Sequence, residues 1–104
     1  MPDVLRHAAA LAMLFGASSL ALAQDAHLAR NLAATCANCH GTNGHAKGRM
    51  KALAGMPADK ITAYLADYKS GAQPATVMHQ IAKGYSDEQI RLIAGFFASQ
   101  PATK

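Results

Sequence analysis

Cysteine is scarce in this 104-residue sequence, which contains only Cys36 and Cys39. A disulfide between two residues so close in sequence would close too small a loop to restrain the unfolded chain much, so a disulfide framework is excluded as the source of stability. The segment 24–104, predicted below to be the folded domain, has 104 − 23 = 81 residues, and a domain of that size buries only about 60–65% of its unfolded surface. Small domains therefore usually need a metal or another staple. The two cysteines are candidates for holding such a group.

Two further patterns are missing. No run of alternating apolar and polar residues has a useful length, so no β-sheet is predicted. The formal net charge is only +4, and the sequence lacks the arginine-rich runs and interleaved aromatic residues of a nucleic-acid surface. We therefore predict an all-α fold and a protein that does not bind nucleic acid.

The amino-terminal segment has the organisation of a secretory signal peptide. Arg6 precedes an apolar stretch over residues 8–22, and the small residues of an Ala-Leu-Ala sequence stand immediately before Gln24. This stretch is shorter than the about 20 apolar residues that span a bilayer, which argues against a membrane anchor. We predict that residues 1–23 are cleaved, leaving residues 24–104 as one exported domain with no stable membrane span.

The spacing of the apolar residues predicts three main helices. In the first, Leu28, Leu32 and Cys36 recur every four residues, which places the first cysteine on the apolar face. The second begins at Pro57, because proline suits the first helical position. It ends at Gly71, because glycine is the usual residue just after a helix.

The last helix has the clearest predicted ends. Ser86 and Gln89 have the spacing of a capping box, and Pro101 lies just beyond the carboxyl end. Its apolar face consists of Ile90, Ile93, Phe96 and Phe97. Irregular stretches are predicted at residues 40–55 and 70–86, and loops of such length in so small a protein usually wrap something.

Cys36, Cys39 and His40 form a Cys-x-x-Cys-His motif. A dithiol redox centre is expected near strands of an α/β chain, and this chain offers none. A structural zinc site needs four ligands, and no well-spaced second pair follows the motif. A c-type haem uses all three residues, since the two thiols add to the porphyrin vinyl groups and the histidine binds the iron. We therefore predict one covalent haem c, attached through the two cysteines, with His40 as an axial iron ligand.

The opposite iron position has six candidate ligands: His27, His45, Met50, Met56, Met78 and His79. The first two histidines lie too close to the motif in sequence to reach the far face easily. The two earlier methionines flank the start of the second helix, where filling a gap in the core is the ordinary role of methionine. Met78 lies far enough along the second irregular stretch to return over the haem. Met78 is favoured, with His79 as the rival.

Three segments carry a family resemblance: LAATCANCHG, LAGMPADKITAYLADYKSG and ATVMHQIAKGYSDEQIRLIAGFFASQ. They resemble the small class I bacterial cytochromes c, and in particular the haem subunits of flavocytochrome c sulfide dehydrogenases, over nearly all of residues 25–100. The resemblance implies the class I cytochrome c fold, with the first and last helices crossing. Leu28 and Leu32 are then expected to pack near Ile93 and Phe96.

The resemblance also implies periplasmic electron transfer by a six-coordinate haem with His40 and Met78 as axial ligands. The protein would be a free carrier or the haem subunit of an enzyme, and its redox partner a flavoprotein sulfide dehydrogenase, a terminal oxidase or another cytochrome. The alternative function is a haem ligand-binding or peroxidase-like protein with an open iron site. That alternative requires Met78 to be absent from the iron.

Lys51 departs from the pattern of these relatives. They commonly have proline two residues before the leucine that corresponds to Leu53, so the loop carbonyl that orients the His40 imidazole is expected to be less rigid here. The same loop carries His45, Lys47, Arg49 and Lys51. These residues either steer an acidic partner towards the haem edge or form an ordinary solvated loop.

Overall fold

The structure is a computed structural model, and it describes residues 26–102. Every regular element in this range is helical, as predicted. Residues 26–40 form α1, followed by a 3₁₀ turn at Thr42–Gly44 and by α2 (Ala58–Ser70), α3 (Met78–Lys83) and α4 (Asp87–Ala98). None of these helices has both the length and the apolar character needed to cross a bilayer. The predicted signal peptide, residues 1–23, lies outside the described residues.

The predicted helix ends are confirmed to within one residue. Gly71 caps α2 in the left-handed conformation, with φ of 87°. Pro57 occupies the capping position rather than the first helical position, which falls to Ala58. At α4, the Ser86 hydroxyl oxygen accepts from the Gln89 N–H at 3.1 Å, and Gln89 Oε1 accepts from the Ser86 N–H at 2.9 Å. This capping box fixes where α4 begins.

Helix α3 corrects the prediction of an irregular stretch over residues 70–86. Met78–Lys83 is only six residues long, which is too short to show a helical period in the sequence and too short for an isolated helix to be stable. Its stability must come from packing, and Ala82 in α3 is fully buried in the core. This short helix presents Met78 at its first position.

All four helices contribute to one hydrophobic core. The buried core residues are Ala33, Ile61, Leu65, Ala82, Ile90, Ile93, Ala94 and Phe97. Leu32 and Phe96 pack against this core, as expected for contact between α1 and α4. Leu28 remains 46% exposed and outside the core, so the expectation that it packs there is wrong. The contact of α1 with the core runs instead through Leu32 and the small, fully buried Ala33.

Gly44 holds the loop between α1 and α2 against α4. Its carbonyl oxygen accepts from the N–H groups of Leu53 and Ala54, at 2.9 and 3.2 Å, and Gly55 N–H donates to the Phe97 carbonyl at 2.9 Å. Gly44 is buried with φ of 82°, a conformation that glycine adopts without strain. These bonds bring the segment before Leu53 back beside the end of α1.

Candidate functional site

A cleft with mainly apolar walls lies between the end of α1, the following loop, α2 and α3, and its volume is about 230 Å³. It is lined by Thr35, Cys36, Cys39, His40, Arg49, Met50, Lys51, Leu53, Met56, Ile61, Tyr64, Leu65, Tyr68, Met78, Ile81 and Ile93. An apolar cleft with a few polar groups at defined positions is the usual form of a cofactor site.

The last turn of α1 brings Cys36, Cys39 and His40 to this cleft. The two cysteines are not joined by a disulfide, and Cys36 is half-buried whereas Cys39 is exposed. Burial raises the pKa of the Cys36 thiol above its ordinary value, an effect larger than the lowering by a backbone hydrogen bond. A dithiol redox centre needs the opposite, a thiol with a lowered pKa. The Cys36 environment therefore suits a neutral sulfur such as a thioether.

The His40 ring has a fixed orientation and a fixed tautomer. Its Nδ1 atom lies 2.7 Å from the carbonyl oxygen of Lys51. A carbonyl oxygen can only accept, so Nδ1 must carry the proton, and Nε2 keeps its lone pair. A metal-binding histidine is commonly held in this way by a carbonyl behind the ring. His40 is thus prepared to bind a metal through Nε2.

The side chain of Lys51 is also engaged. Its Nζ atom lies 4.4 Å from the centroid of the Tyr64 ring and donates to the Tyr64 hydroxyl oxygen at 3.3 Å. Lys47, Arg49 and Lys51 are all exposed, and both Arg49 and Lys51 line the cleft. The sequence places Lys51 in the basic loop, and no local pattern indicates its contact with Tyr64.

Met78 lines the cleft, whereas His79, the other candidate ligand, does not. Met78 is half-buried and lines the cleft from the start of α3. His79 is not among the lining residues, and its Nδ1 atom is buried without a hydrogen-bond partner in the described chain. His27 and His45 do not line the cleft either. The candidate nitrogen ligands other than His40 therefore do not line this cleft.

Met50 and Met56, for which the sequence predicts packing roles, also line the cleft. Met50 adjoins Lys51, whose carbonyl holds the His40 ring, and Met56 lies five residues further along the same loop. Both methionines thus belong to the segment that supports His40. Met78 comes from a different element, α3, which packs against α2.

The chain matches known proteins over most of its length. The family model described as Cytochrome c matches residues 27–100. The chain is 40% identical over 68 residues to the cytochrome subunit of sulfide dehydrogenase of Chlorobaculum tepidum, a match that covers 65% of this chain and 62% of that subunit. It is 36% identical over 86 residues to cytochrome c-553 of Helicobacter pylori, covering 81% of this chain and 90% of that protein.

A solved structure has a similar fold. It is that of cytochrome c4 from Acidithiobacillus ferrooxidans, which is 33% identical in sequence and superimposes with a TM-score of 0.59. The superposition covers 62% of this chain and 37% of the cytochrome c4 chain. The part of the chain that superimposes therefore follows an arrangement found in a longer chain.

Proposed function

This chain belongs to the cytochrome c family, whose members carry covalently bound haem c, and from that membership we propose that it transfers single electrons between proteins of the periplasm. The observation that supports the proposal most is the convergence of four side chains on one apolar cleft: Cys36, Cys39, His40 and Met78. The cysteines and the histidine come from α1, and the methionine comes from α3.

Each of these residues has a distinct role in the proposal. Cys36 and Cys39 hold the haem through thioether bonds, and His40 binds the iron through Nε2, because Nδ1 is occupied by the Lys51 carbonyl. The Met78 sulfur binds from the side of α3. When bound, haem c supplies a one-electron couple at its iron.

The ligand pair determines what the site can do. A soft thioether opposite an imidazole favours ferrous iron and raises the reduction potential relative to two nitrogen ligands. If His40 and Met78 both held the iron, they would leave no position for oxygen or peroxide. The buried, apolar side chains of Ile61 and Leu65 line the same cleft. These residues suit electron transfer and not the activation of a substrate.

The sequence and one relative support the proposed location and partner. The predicted signal peptide at residues 1–23 supports export to the periplasm. The Chlorobaculum relative is named as a subunit of sulfide dehydrogenase, which supports a flavoprotein sulfide dehydrogenase as the electron donor. A terminal oxidase or another cytochrome would be the acceptor. Stable co-purification with a flavoprotein from native periplasm would identify the chain as a subunit. Isolation without any flavoprotein would identify it as a free carrier.

Carbon monoxide distinguishes this proposal from a haem protein with an open iron site. Carbon monoxide binds ferrous iron only where an axial position is free or easily vacated. The proposal expects the absorption spectrum of the reduced protein to stay unchanged on addition of the gas. A fast and complete spectral shift would instead support a ligand-binding or peroxidase-like function.

A further inference from the structure

We propose that the Lys51 side chain positions the Lys51 carbonyl for the His40 imidazole by anchoring on Tyr64, and that this anchor tunes the reduction potential. The inference rests on the proposed function, because it assumes that His40 binds the haem iron. Lys51 is therefore a positioning residue, which acts through His40 and does not itself bind the iron.

The loop that carries this carbonyl has little support of its own. The loop forms a turn at residues 48–49, but within the described chain no backbone-to-backbone hydrogen bond outside the helices ties any of residues 46–52 to another segment. The loop also contains Gly48, which has φ of 66° and no atom within 4 Å of where a Cβ would lie. The backbone is next fixed at Leu53, through its bond to Gly44. The position of the Lys51 carbonyl is therefore not determined by backbone bonds alone.

The Lys51 side chain supplies the missing restraint. Its ammonium group lies 4.4 Å from the ring centroid of Tyr64 and 3.3 Å from the Tyr64 hydroxyl oxygen. Tyr64 lies in the middle of α2, a helix of thirteen residues, and thus provides a rigid support. One residue consequently connects α2 to the His40 ring, with its ammonium at one end and its carbonyl at the other.

The anchor has a predictable effect on the iron. A hydrogen bond from Nδ1–H to a carbonyl raises the basicity of the ligand atom Nε2. A more basic ligand stabilises ferric iron, so weakening the bond should raise the reduction potential. Removing a nearby positive charge has the opposite effect, because a positive charge favours ferrous iron. Loss of the Lys51 anchor should therefore raise the reduction potential, whereas loss of the Lys51 charge should lower it.

The test compares four variants of the haem-loaded protein. Lys51→Met and Tyr64→Leu remove the anchor, whereas Lys51→Arg and Tyr64→Phe keep a cation over an aromatic ring. The readout is solvent exchange of the His40 Nδ1 proton in the ferrous protein, measured by nuclear magnetic resonance. We expect exchange to be faster by about two- to fivefold in the first pair, the factor that corresponds to losing one exposed cation–π contact. In Lys51→Arg and Tyr64→Phe, the proton should exchange at the rate of the parent protein.

Two controls separate the anchor from charge. Lys47→Met removes a charge from the same loop without touching Tyr64, and it should leave the exchange rate unchanged. Tyr64→Leu alters no charge, and it should raise the reduction potential. The double variant of Lys51→Met and Tyr64→Leu should exchange no faster than either single variant, because both changes break the same contact.

Two results would overturn the inference: parent-like exchange in both Lys51→Met and Tyr64→Leu, or fully additive effects in the double variant. Failure of the proposed function would look different. In that case the parent protein would show no haem-shifted His40 ring signals, or its haem would be extractable. If the parent shows these signals and the variants exchange at the parent's rate, only the role of Lys51 is rejected, and the proposed function stands.

Discussion

Gly44 and Phe97 approach each other so closely that a Cβ atom built on Gly44 would lie 2.8 Å from Phe97 Cδ1. The same Cβ would lie 2.7 Å from the backbone nitrogen of Ala54. Phe97 is fully buried in the core, so neither neighbour can move away easily. This contact joins the loop that supports His40 to the carboxyl-terminal end of α4.

Gly44→Ala is therefore expected to destabilise the protein strongly. Overpacking a core typically costs about 1–3 kcal/mol, and the left-handed backbone adds about 1–2 kcal/mol for a residue with a Cβ. Gly48→Ala is a matched control, because Gly48 has φ of 66° but open space around it. Chemical denaturation of both variants should show a clearly larger loss for Gly44→Ala. Equal losses would mean that the contact with Phe97 is unimportant.

Lys69 fastens the segment that carries Met78. Its ammonium donates to the Tyr85 carbonyl at 2.7 Å and lies 3.6 Å from the Asp87 carboxylate, whose side chain is 99% exposed. The exposed ion pair contributes little, so the bond to Tyr85 carries most of the effect. Lys69→Met should cost about 1–2 kcal/mol of stability.

Because Met78 lies between Lys69 and Tyr85 in sequence, the same substitution should let added imidazole replace Met78 on the iron faster. Stopped-flow spectroscopy of the ferric protein measures this rate. Lys83→Met is the control, since Lys83 makes no side-chain hydrogen bond or ion pair in the described chain. If the two variants react at the same rate, the tether does not restrain Met78.

Features set by neighbouring residues could be predicted from the sequence. The capping box of Ser86 and Gln89 and the glycine cap at Gly71 depend on a few consecutive residues, and the structure confirms both. The three residues of the Cys-x-x-Cys-His motif adjoin one another in one helix turn. Local chemistry was therefore sufficient to identify the candidate attachment site.

Features that depend on packing could not be predicted in this way. Helix α3, Met78–Lys83, is too short to show a period and forms against α2. The contact between Lys51 and Tyr64 joins residues thirteen positions apart, and no local pattern indicates it. Leu28 has the right spacing for the core but stays exposed, whereas Ala33 is buried. Periodicity selects a helix face, and only the tertiary arrangement decides how much of that face is covered.

Lys47 and Arg49 should steer charged redox reagents. Both are exposed, and Arg49 lines the cleft. Oxidation of the ferrous protein by ferricyanide, an anion, should slow as added salt shortens the Debye length from about 30 Å at 0.01 M to about 8 Å at 0.15 M. Lys47→Gln and Arg49→Gln should each lower the rate at low salt, because steering acts on association. Lys60→Gln is the control of equal charge, since Lys60 lies in α2 and not in the loop that carries Lys47 and Arg49. A rate that is indifferent to salt would contradict steering.

The attachment through Cys36 and Cys39 predicts that haem cannot be extracted. Acid–acetone treatment should leave the haem on the polypeptide of the parent protein, because thioether bonds survive these conditions. In the double variant of Cys36→Ser and Cys39→Ser, any haem that binds should move into the organic phase. Haem recovered in the organic phase from the parent would rule out covalent attachment.

The most direct test of the account is the near-infrared spectrum of the ferric protein, compared with Met78→Ala and His79→Ala. An iron–thioether bond gives a weak charge-transfer band in this region. If Met78 binds the iron, Met78→Ala should abolish the band and lower the reduction potential, because a harder ligand then replaces the thioether. His79→Ala should leave the band and the potential nearly unchanged. The absence of the band in the parent, together with a spectrum that changes in His79→Ala and not in Met78→Ala, would contradict the account and indicate a bis-histidine cytochrome.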